Sequence, residues 1–332
     1  MAYSTGTIPA WDKRTQAQMD ELLLREGIRR DKNLDYSCGV FDDDGTLIAA
    51  GSSFGNTLRC LAVSGEHRGE GLMNQVVSHL MERQIQLGHS HVFLYTKISN
   101  QRIFADLGFY EIARAGDALV FMENRRDGFR RYLKALEKAR REGSSAAIVM
   151  NANPFTLGHR HLVEKAAGEN DTVHLFLLSE EAGPIPFRVR RALVSEGCAD
   201  LSNVVIHDSG PYIISSATFP SYFLPDEDSA IAAVLGIKRR YVGQERTSRV
   251  TGIYNRIMAE SLPENGIECV EIPRLESGGR VISASTVRQA IHDDALDTVA
   301  DMLPGSTLAY FRSTESQPVR EAIRAMADPR HY

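Results

Sequence analysis

The sequence predicts an α/β protein, with a mixed α+β domain followed by a doubly wound parallel sheet. Three observations carry that prediction. The first is the apolar run over 146–150, broken into a loop by Asn151, Asn153 and Pro154, with Leu162, Val163, Ala166 and Ala167 beyond it at helical spacing. The second is that further strands and helices alternate after that unit, the pattern of parallel strands joined by crossover helices. The third is length, because 332 residues suffice for two sizeable cores.

The first half supplies the elements of a mixed sheet. Residues 14–29 read as an amphipathic helix with Leu22, Leu23 and Ile28 on one face. Strands over 37–41 and 46–50 are joined by Asp42-Asp43-Asp44-Gly45, a turn with Gly where positive φ is needed. A third strand covers 56–63 and is followed by a Gly-rich turn containing Arg68-Gly69-Glu70-Gly71. A helix then carries Val76, Val77, Leu80 and Met81, and a strand over 91–96 follows. A short helix over 103–107 is ended by Gly108.

A basic helix over 127–141 connects the halves. Phe129, Tyr132, Leu133, Leu136 and Ala139 form its apolar stripe, against Arg125, Arg126, Arg130, Arg131, Lys134, Lys138, Arg140 and Arg141. It reads as a helix with a solvated charged face bridging two domains, with docking of an acidic protein as the functional alternative. Gly143-Ser144-Ser145 marks the boundary, so the expected units are 1–124, a connector over 125–145, and 146–332.

The second half continues with strands over 172–178, 204–207, 241–243 and 268–272, and helices over 187–199 and 247–261. In such sheets ligands sit at the carboxyl ends of the strands. The loops over 151–159, 179–187, 243–246 and 282–288 fall on that edge. Two of them hold chemistry. Thr156-Leu157-Gly158-His159 starts a helix whose open N–H groups and positive dipole end attract anions, and Gly158 lets a ligand approach the backbone. Ile282-Ser283-Ala284-Ser285-Thr286-Val287-Arg288 places three hydroxyls before Arg288, where Ser283 or Ser285 also suits a helix cap.

Composition bounds the rest. Hydrophobic and charged fractions of 43% and 24% are ordinary for a globular protein, and the net charge of −5 argues against nucleic acid as the main partner. Cys38, Cys60, Cys198 and Cys269 show no Cys-x-x-Cys pair, which fits reduced thiols in the cytosol. No protein metal site is expected, since His159 and His161 lack the spacing of three or four that helical ligand pairs use. No signal segment or membrane-length apolar run is present, so a cytoplasmic protein without a membrane partner is expected.

The strand order of the first half and the Arg68-Gly69-Glu70-Gly71-Leu72 turn resemble the GCN5-related N-acetyltransferase family over 37–122. That resemblance implies that Val63, Arg68, Gly69 and Gly71 hold a coenzyme-A-like arm between splayed strands. Met73 departs from the family's last Gly or Ala. Phe104 stands where many members carry a proton-donating Tyr, and Phe has no proton to give. The expectation is binding of the arm without acetyl transfer from acetyl-CoA.

The two second-half motifs resemble those of the nucleotidylyltransferase superfamily. Thr156 and His159 match the first signature, with Thr156 in the variant form of its position. Ser283, Ser285, Thr286 and Arg288 match the second. With the stretches beginning at Asn151, Tyr212 and Val242-Gly243-Gln244-Glu245, the chain resembles the citrate lyase ligase family. That resemblance implies ATP-dependent activation of acetate as acetyl-adenylate, with Mg²⁺. The acetyl group then passes to the thiol of a prosthetic group on the citrate lyase acyl carrier subunit. It implies catalytic roles for His159, Thr156 and Arg288. It also implies ATP contacts from Asn151, Asn153, Phe155, Gly158, Arg190, Gly243, Glu245, Ser283, Ser285 and Thr286. A small-molecule adenylyltransferase, of the phosphopantetheine or nicotinamide mononucleotide type, is the alternative.

Overall fold

The computed structural model describes residues 3–115, 118–181, 183–213, 225–244 and 249–330. The chain divides into two compact units, Met1–Gly128 and Phe129–Tyr332.

The first unit runs β1 (Ser4–Thr7), α1 (Lys13–Arg25), β2 (Tyr36–Phe41), β3 (Leu47–Phe54), β4 (Thr57–Val63), α2 (Leu72–Gln86), β5 (Phe93–Lys97), α3 (Gln101–Asp106), β6 (Tyr110–Ala115) and β7 (Leu119–Glu123). Its strands form one sheet in the order β1-β2-β3-β4-β5-β7-β6. Neighbouring strands pair antiparallel except β4 with β5, which are parallel. Those two strands pair only through Thr57↔Phe93 and Leu58↔Leu94 and then diverge, so the sheet splays toward Val63 and Lys97. Leu72, Val76, Val77 and Leu80 of α2 pack on Val40, Ile48 and Leu94. Each such buried side chain contributes roughly 1.5–3 kcal/mol. Phe104 is buried in the same core, so its ring is packing and presents nothing to a substrate. β1, β6 and β7 lie outside the strands read from sequence.

The second unit runs α4 (Gly128–Glu137), β8 (Ser145–Met150), α5 (Leu157–Glu169), β9 (Thr172–Leu177), α6 (Phe187–Gly197), β10 (Val204–Asp208), α7 (Pro225–Leu235), β11 (Ile237–Gly243), α8 (Arg249–Glu264), β12 (Glu268–Ile272), β13 (Glu276–Ser277), β14 (Arg280–Val281), α9 (Ala284–His292), α10 (Gly305–Arg312) and α11 (Gln317–Arg324). Five strands form a parallel sheet in the order β10-β9-β8-β11-β12. The order reverses between β8 and β11, which makes their carboxyl ends the switch point where such folds bind ligands. One face is covered by Leu162 and Val163 of α5 and Leu193 and Val194 of α6. The other is covered by Leu136 of α4, Ile231 and Leu235 of α7, and Met258 and Leu262 of α8.

The boundary therefore differs from the expected one. The apolar stripe of α4 is spent on the second core, where Phe129, Tyr132 and Leu133 join Leu136. A helix that buries this face cannot be a spacer, and it belongs to the second unit. Among the described residues, no helix is long and apolar enough to cross a membrane.

Candidate active site

The site is built by two helix starts at the switch point. Thr156 caps α5 in extended conformation, and its hydroxyl accepts from the His159 N–H at 3.4 Å. In return the Thr156 N–H donates to His159 Nδ1 at 3.1 Å, closing a capping box. This reciprocal bond fixes a tautomer. A backbone N–H can only donate, so Nδ1 must be unprotonated and the neutral ring carries its proton on Nε2. Burial, with the charge of Arg274 adding to it, pushes the His159 pKa down to about 4. At neutral pH His159 is thus an uncharged donor.

The second helix start comes from a hairpin. β13 and β14 are joined by Gly278 and Gly279, with φ of 55° and 76°, so both turn residues need the left-handed conformation. The hairpin returns the chain to Ile282, whose N–H donates to Leu275 O at 3.0 Å. Ser283 then caps α9, accepting from the Thr286 N–H at 3.1 Å. Its Oγ also lies 3.0 Å from Ser285 Oγ and 2.8 Å from Thr286 Oγ1, so the three hydroxyls form one cluster.

Gly158 joins the two starts. A Cβ there would lie 3.3 Å from the Ile282 carbonyl oxygen and 3.6 Å from Thr156 Oγ1. The glycine makes room for the second motif. Two helix N-termini held this close concentrate unpaired N–H groups and positive dipole on one spot.

Two arginines are placed differently from expectation. Arg288 is buried and donates to Pro329 O at 2.7 Å, Asn153 O at 2.6 Å and Arg330 O at 2.9 Å. Its guanidinium clamps α9 to the first loop and to the C-terminal segment, since backbone carbonyls already meet its fork of donors. Arg190, expected as an ATP contact, is 1% exposed. It donates to Asn151 O, Asn151 Oδ1, Leu178 O and Ile185 O at 2.8–3.1 Å, and to Glu180 O. One buried cation thus ties the loop after β8 to the loop after β9.

The side chain of Phe155 points into the core. It is fully buried in the α5–α6 core, and a Cβ on Gly197 would meet its ring at 2.5 Å. Its ring anchors the loop in that core. Asn151 is held by Arg190, as above. Asn153 is 3% exposed, and neither its Oδ1 nor its Nδ2 has a partner among the described residues. Leaving such an amide unmet costs on the order of 1–3 kcal/mol, which marks the place of a water or ligand atom. Gly243 ends β11 at the same edge, and its carbonyl accepts from Asn255 Nδ2 at 3.0 Å. Glu245 lies outside the described residues, as do residues 214–224 of the stretch that begins at Tyr212.

Sequence reasoning missed Arg274. It sits just past the carboxyl end of β12 and donates through Nε to Gln244 O at 2.7 Å, beyond β11. Its charge acts on His159. The available signal was its position, one residue beyond Pro273 after a strand end on the ligand edge.

In the first unit, Gly71 caps α2 in the left-handed region and Gly69 shares that conformation. Added Cβ atoms there would meet nothing within 4 Å, so φ alone demands glycine. Arg68 is exposed and pairs with Glu26 Oε2 at 2.6 Å, while Gly65 N–H donates to Glu26 Oε1 at 3.0 Å. The turn thus already holds one carboxylate. Val63 ends β4 where the sheet splays. His67 faces Glu70 at 3.5 Å.

A family model described as the citrate lyase ligase C-terminal domain matches residues 145–311. A [citrate [pro-3S]-lyase] ligase of Klebsiella pneumoniae is 35% identical over 320 residues, covering 90% of this chain and 93% of its own. The chain belongs to the citrate lyase ligase family. The Haemophilus influenzae member is 33% identical over 322 residues, 91% of this chain and 96% of its own. A phosphopantetheine adenylyltransferase of Staphylococcus haemolyticus matches more briefly, 34% identical over 67 residues, 20% of this chain and 42% of its own. Among solved structures, a GNAT-family acetyltransferase of Staphylococcus aureus Mu50 aligns at 12% identity and a TM-score of 0.33, covering 37% of this chain and all of that one.

Proposed function

We propose that the protein is an ATP-dependent ligase acting on citrate lyase. It activates acetate as acetyl-adenylate and passes the acetyl group to the thiol of the prosthetic group on the lyase's acyl carrier subunit. The observation that carries this reading is the convergence of two capped helix starts around a neutral His159 whose proton lies on Nε2.

An acetate oxygen attacks the α-phosphorus of ATP, and the bond to the β-phosphate oxygen breaks, releasing pyrophosphate. Negative charge grows on the α-phosphoryl oxygens as this happens. The His159 Nε2–H is a fixed donor for that charge. In this reading the first turn of α9 and Arg274 hold the departing phosphates. Arg190 and Arg288 act one layer further back, by holding the loops that carry these groups. Among the described residues no cluster of three His, Cys, Asp or Glu side chains is arranged for a metal. A donor set of hydroxyls, amides and guanidinium suits Mg²⁺ held by triphosphate oxygens and water. Bound there, the ion would neutralise charge on the triphosphate.

In the second step the carrier thiolate attacks the acyl carbon and AMP leaves. The splay between β4 and β5 is a receptor for an extended thiol arm, and Phe104 has no acid chemistry of its own to add. A phosphate of such an arm would displace Glu26 from Arg68 and the Gly65 N–H. The reading implies a cytoplasmic enzyme, where its nucleotide is found.

The test is pyrophosphate release with ATP, Mg²⁺ and a panel of short carboxylates, with and without deacetylated carrier. Acetate-dependent release, and AMP only when carrier is present, are expected. His159→Ala should lower release by on the order of 10²–10³-fold. Near-normal release in that variant would defeat the assignment. The brief likeness to a phosphopantetheine adenylyltransferase names the competing outcome, an adenylylated product that persists and no acyl transfer.

A further inference from the structure

The face of α4 turned away from the core is a ridge of cations. Arg130, Lys134 and Lys138 recur at intervals of four, so they line one side of the helix and its following turn, with Arg131 and Arg141 beside them; all five are exposed. Arg130, Lys134 and Lys138 form no ion pair with a described residue. This concentration of charge is set in a chain whose net charge is −5. Like charges repeated at the spacing of Arg130, Lys134 and Lys138 repel one another and cost stability, so packing gives no reason for the row.

Its position ties it to the site. Tyr132 lies 4.9 Å and Phe129 lies 5.2 Å, ring to ring, from Tyr212. A Cβ on Gly210, two residues past the end of β10, would meet Tyr132 at 3.8 Å. The first turn of α4 therefore stands at the carboxyl edge of the sheet, the edge that holds His159. The ridge leads up to that edge.

We infer that the basic face of α4 is the docking surface for an acidic face of the carrier protein, which it holds while the thiol arm reaches the acyl-adenylate. This rests on the function proposed above. Charge complementarity fits a folded acidic protein better than nucleic acid. Both aromatic residues of the helix, Phe129 and Tyr132, are turned inward, so the basic face has no ring on which a base would stack. Docking through exposed charge acts on encounter and apparent affinity, and little on chemistry once bound.

The experiment uses the full chain carrying Arg130→Glu, Lys134→Glu and Lys138→Glu together, with the corresponding triple Gln variant alongside. Carrier KM in the acetyl-transfer assay should rise by roughly tenfold or more in the Glu variant, less in the Gln variant, and kcat at saturating carrier should hold within about twofold. Carrier-independent pyrophosphate release should be unchanged in both. Added salt should raise the wild-type KM and leave that of the Glu variant nearly flat. An unchanged KM in both variants overturns the proposal. So does ridge-dependent binding of single-stranded RNA with carrier KM unaffected. If the wild type releases no pyrophosphate, the proposed function has failed; the ridge is then judged by direct titration of labelled carrier, where equal affinity of wild type and Glu variant overturns it.

Discussion

Gly158→Ala separates the site's geometry from the protein's stability. A helix favours Ala over Gly by roughly 0.5–1 kcal/mol, and this term alone would stabilise the variant. The opposing term is contact. The new Cβ would stand 3.3 Å from the Ile282 carbonyl oxygen, with Ile282 Cγ2 and Thr156 Oγ1 at 3.6 Å. The nearest atom is backbone, which cannot rotate aside, so the hairpin that carries Ile282 must yield by a few tenths of an ångström. A displacement of about 1 Å typically costs 10²-fold in rate, so this one should cost roughly three- to tenfold. Thermal midpoints should stay near wild type, since the two energetic terms largely offset. Acetate-dependent pyrophosphate release should fall. Ile282→Ala should not restore it, because the crowding atom is the carbonyl. Full activity in Gly158→Ala would refute the claim that the two motifs act by close apposition. A loss of activity matched by a large fall in the midpoint would refute it equally.

Two further outcomes follow from buried groups. Arg190→Lys keeps a charge but cannot reach four carbonyls from one planar fork, so it should destabilise by on the order of 3 kcal/mol and lower activity through misplaced loops; denaturant midpoints near wild type would contradict this. His174 and His207 lie 2.9 Å apart, Nδ1 to Nε2, each pushed by burial from 6.5 down to about 4. Folded values below the unfolded ones mean that the unfolded chain takes up protons first. Stability is therefore fully present above about pH 6.5 and lost as pH falls toward 4, by roughly 3 kcal/mol for the fully buried His174 alone. Urea midpoints measured from pH 7.5 to 4.5 should fall less steeply in His174→Asn than in the wild type, and equal slopes would refute the assignment.

Much of the second unit was legible because its signals are local. The apolar run over 146–150 lies within the buried strand β8, and strand β12 is bounded as read. Thr156 and Ser283 announced helix starts by residue type and spacing. What stayed hidden depends on the far side of a contact. Arg190 and Arg288 look like phosphate ligands in sequence, yet their acceptors are backbone carbonyls, which every residue carries, joined at Arg190 by the Asn151 side-chain amide. Gly158 reads as room for a ligand, and only the fold shows how near the Ile282 carbonyl stands to it. Phe155 sits inside a loop motif and is still core, because Gly197 on α6 leaves a recess for its ring. Arg274 belongs to no motif and acts through the place where β12 ends. β1, a short polar edge strand reading Ser-Thr-Gly-Thr, lacks the apolar alternation that would reveal it. The α4 stripe was visible, but which core it enters was not.

The central claim is that acetate itself attacks the α-phosphorus. Acetate labelled with ¹⁸O in its carboxyl group tests it directly, with ATP, Mg²⁺ and deacetylated carrier, by mass spectrometry of the nucleotide product. One labelled oxygen in the phosphate of AMP and none in pyrophosphate is the expected result. Label appearing in inorganic phosphate or pyrophosphate, or AMP free of label, would contradict it.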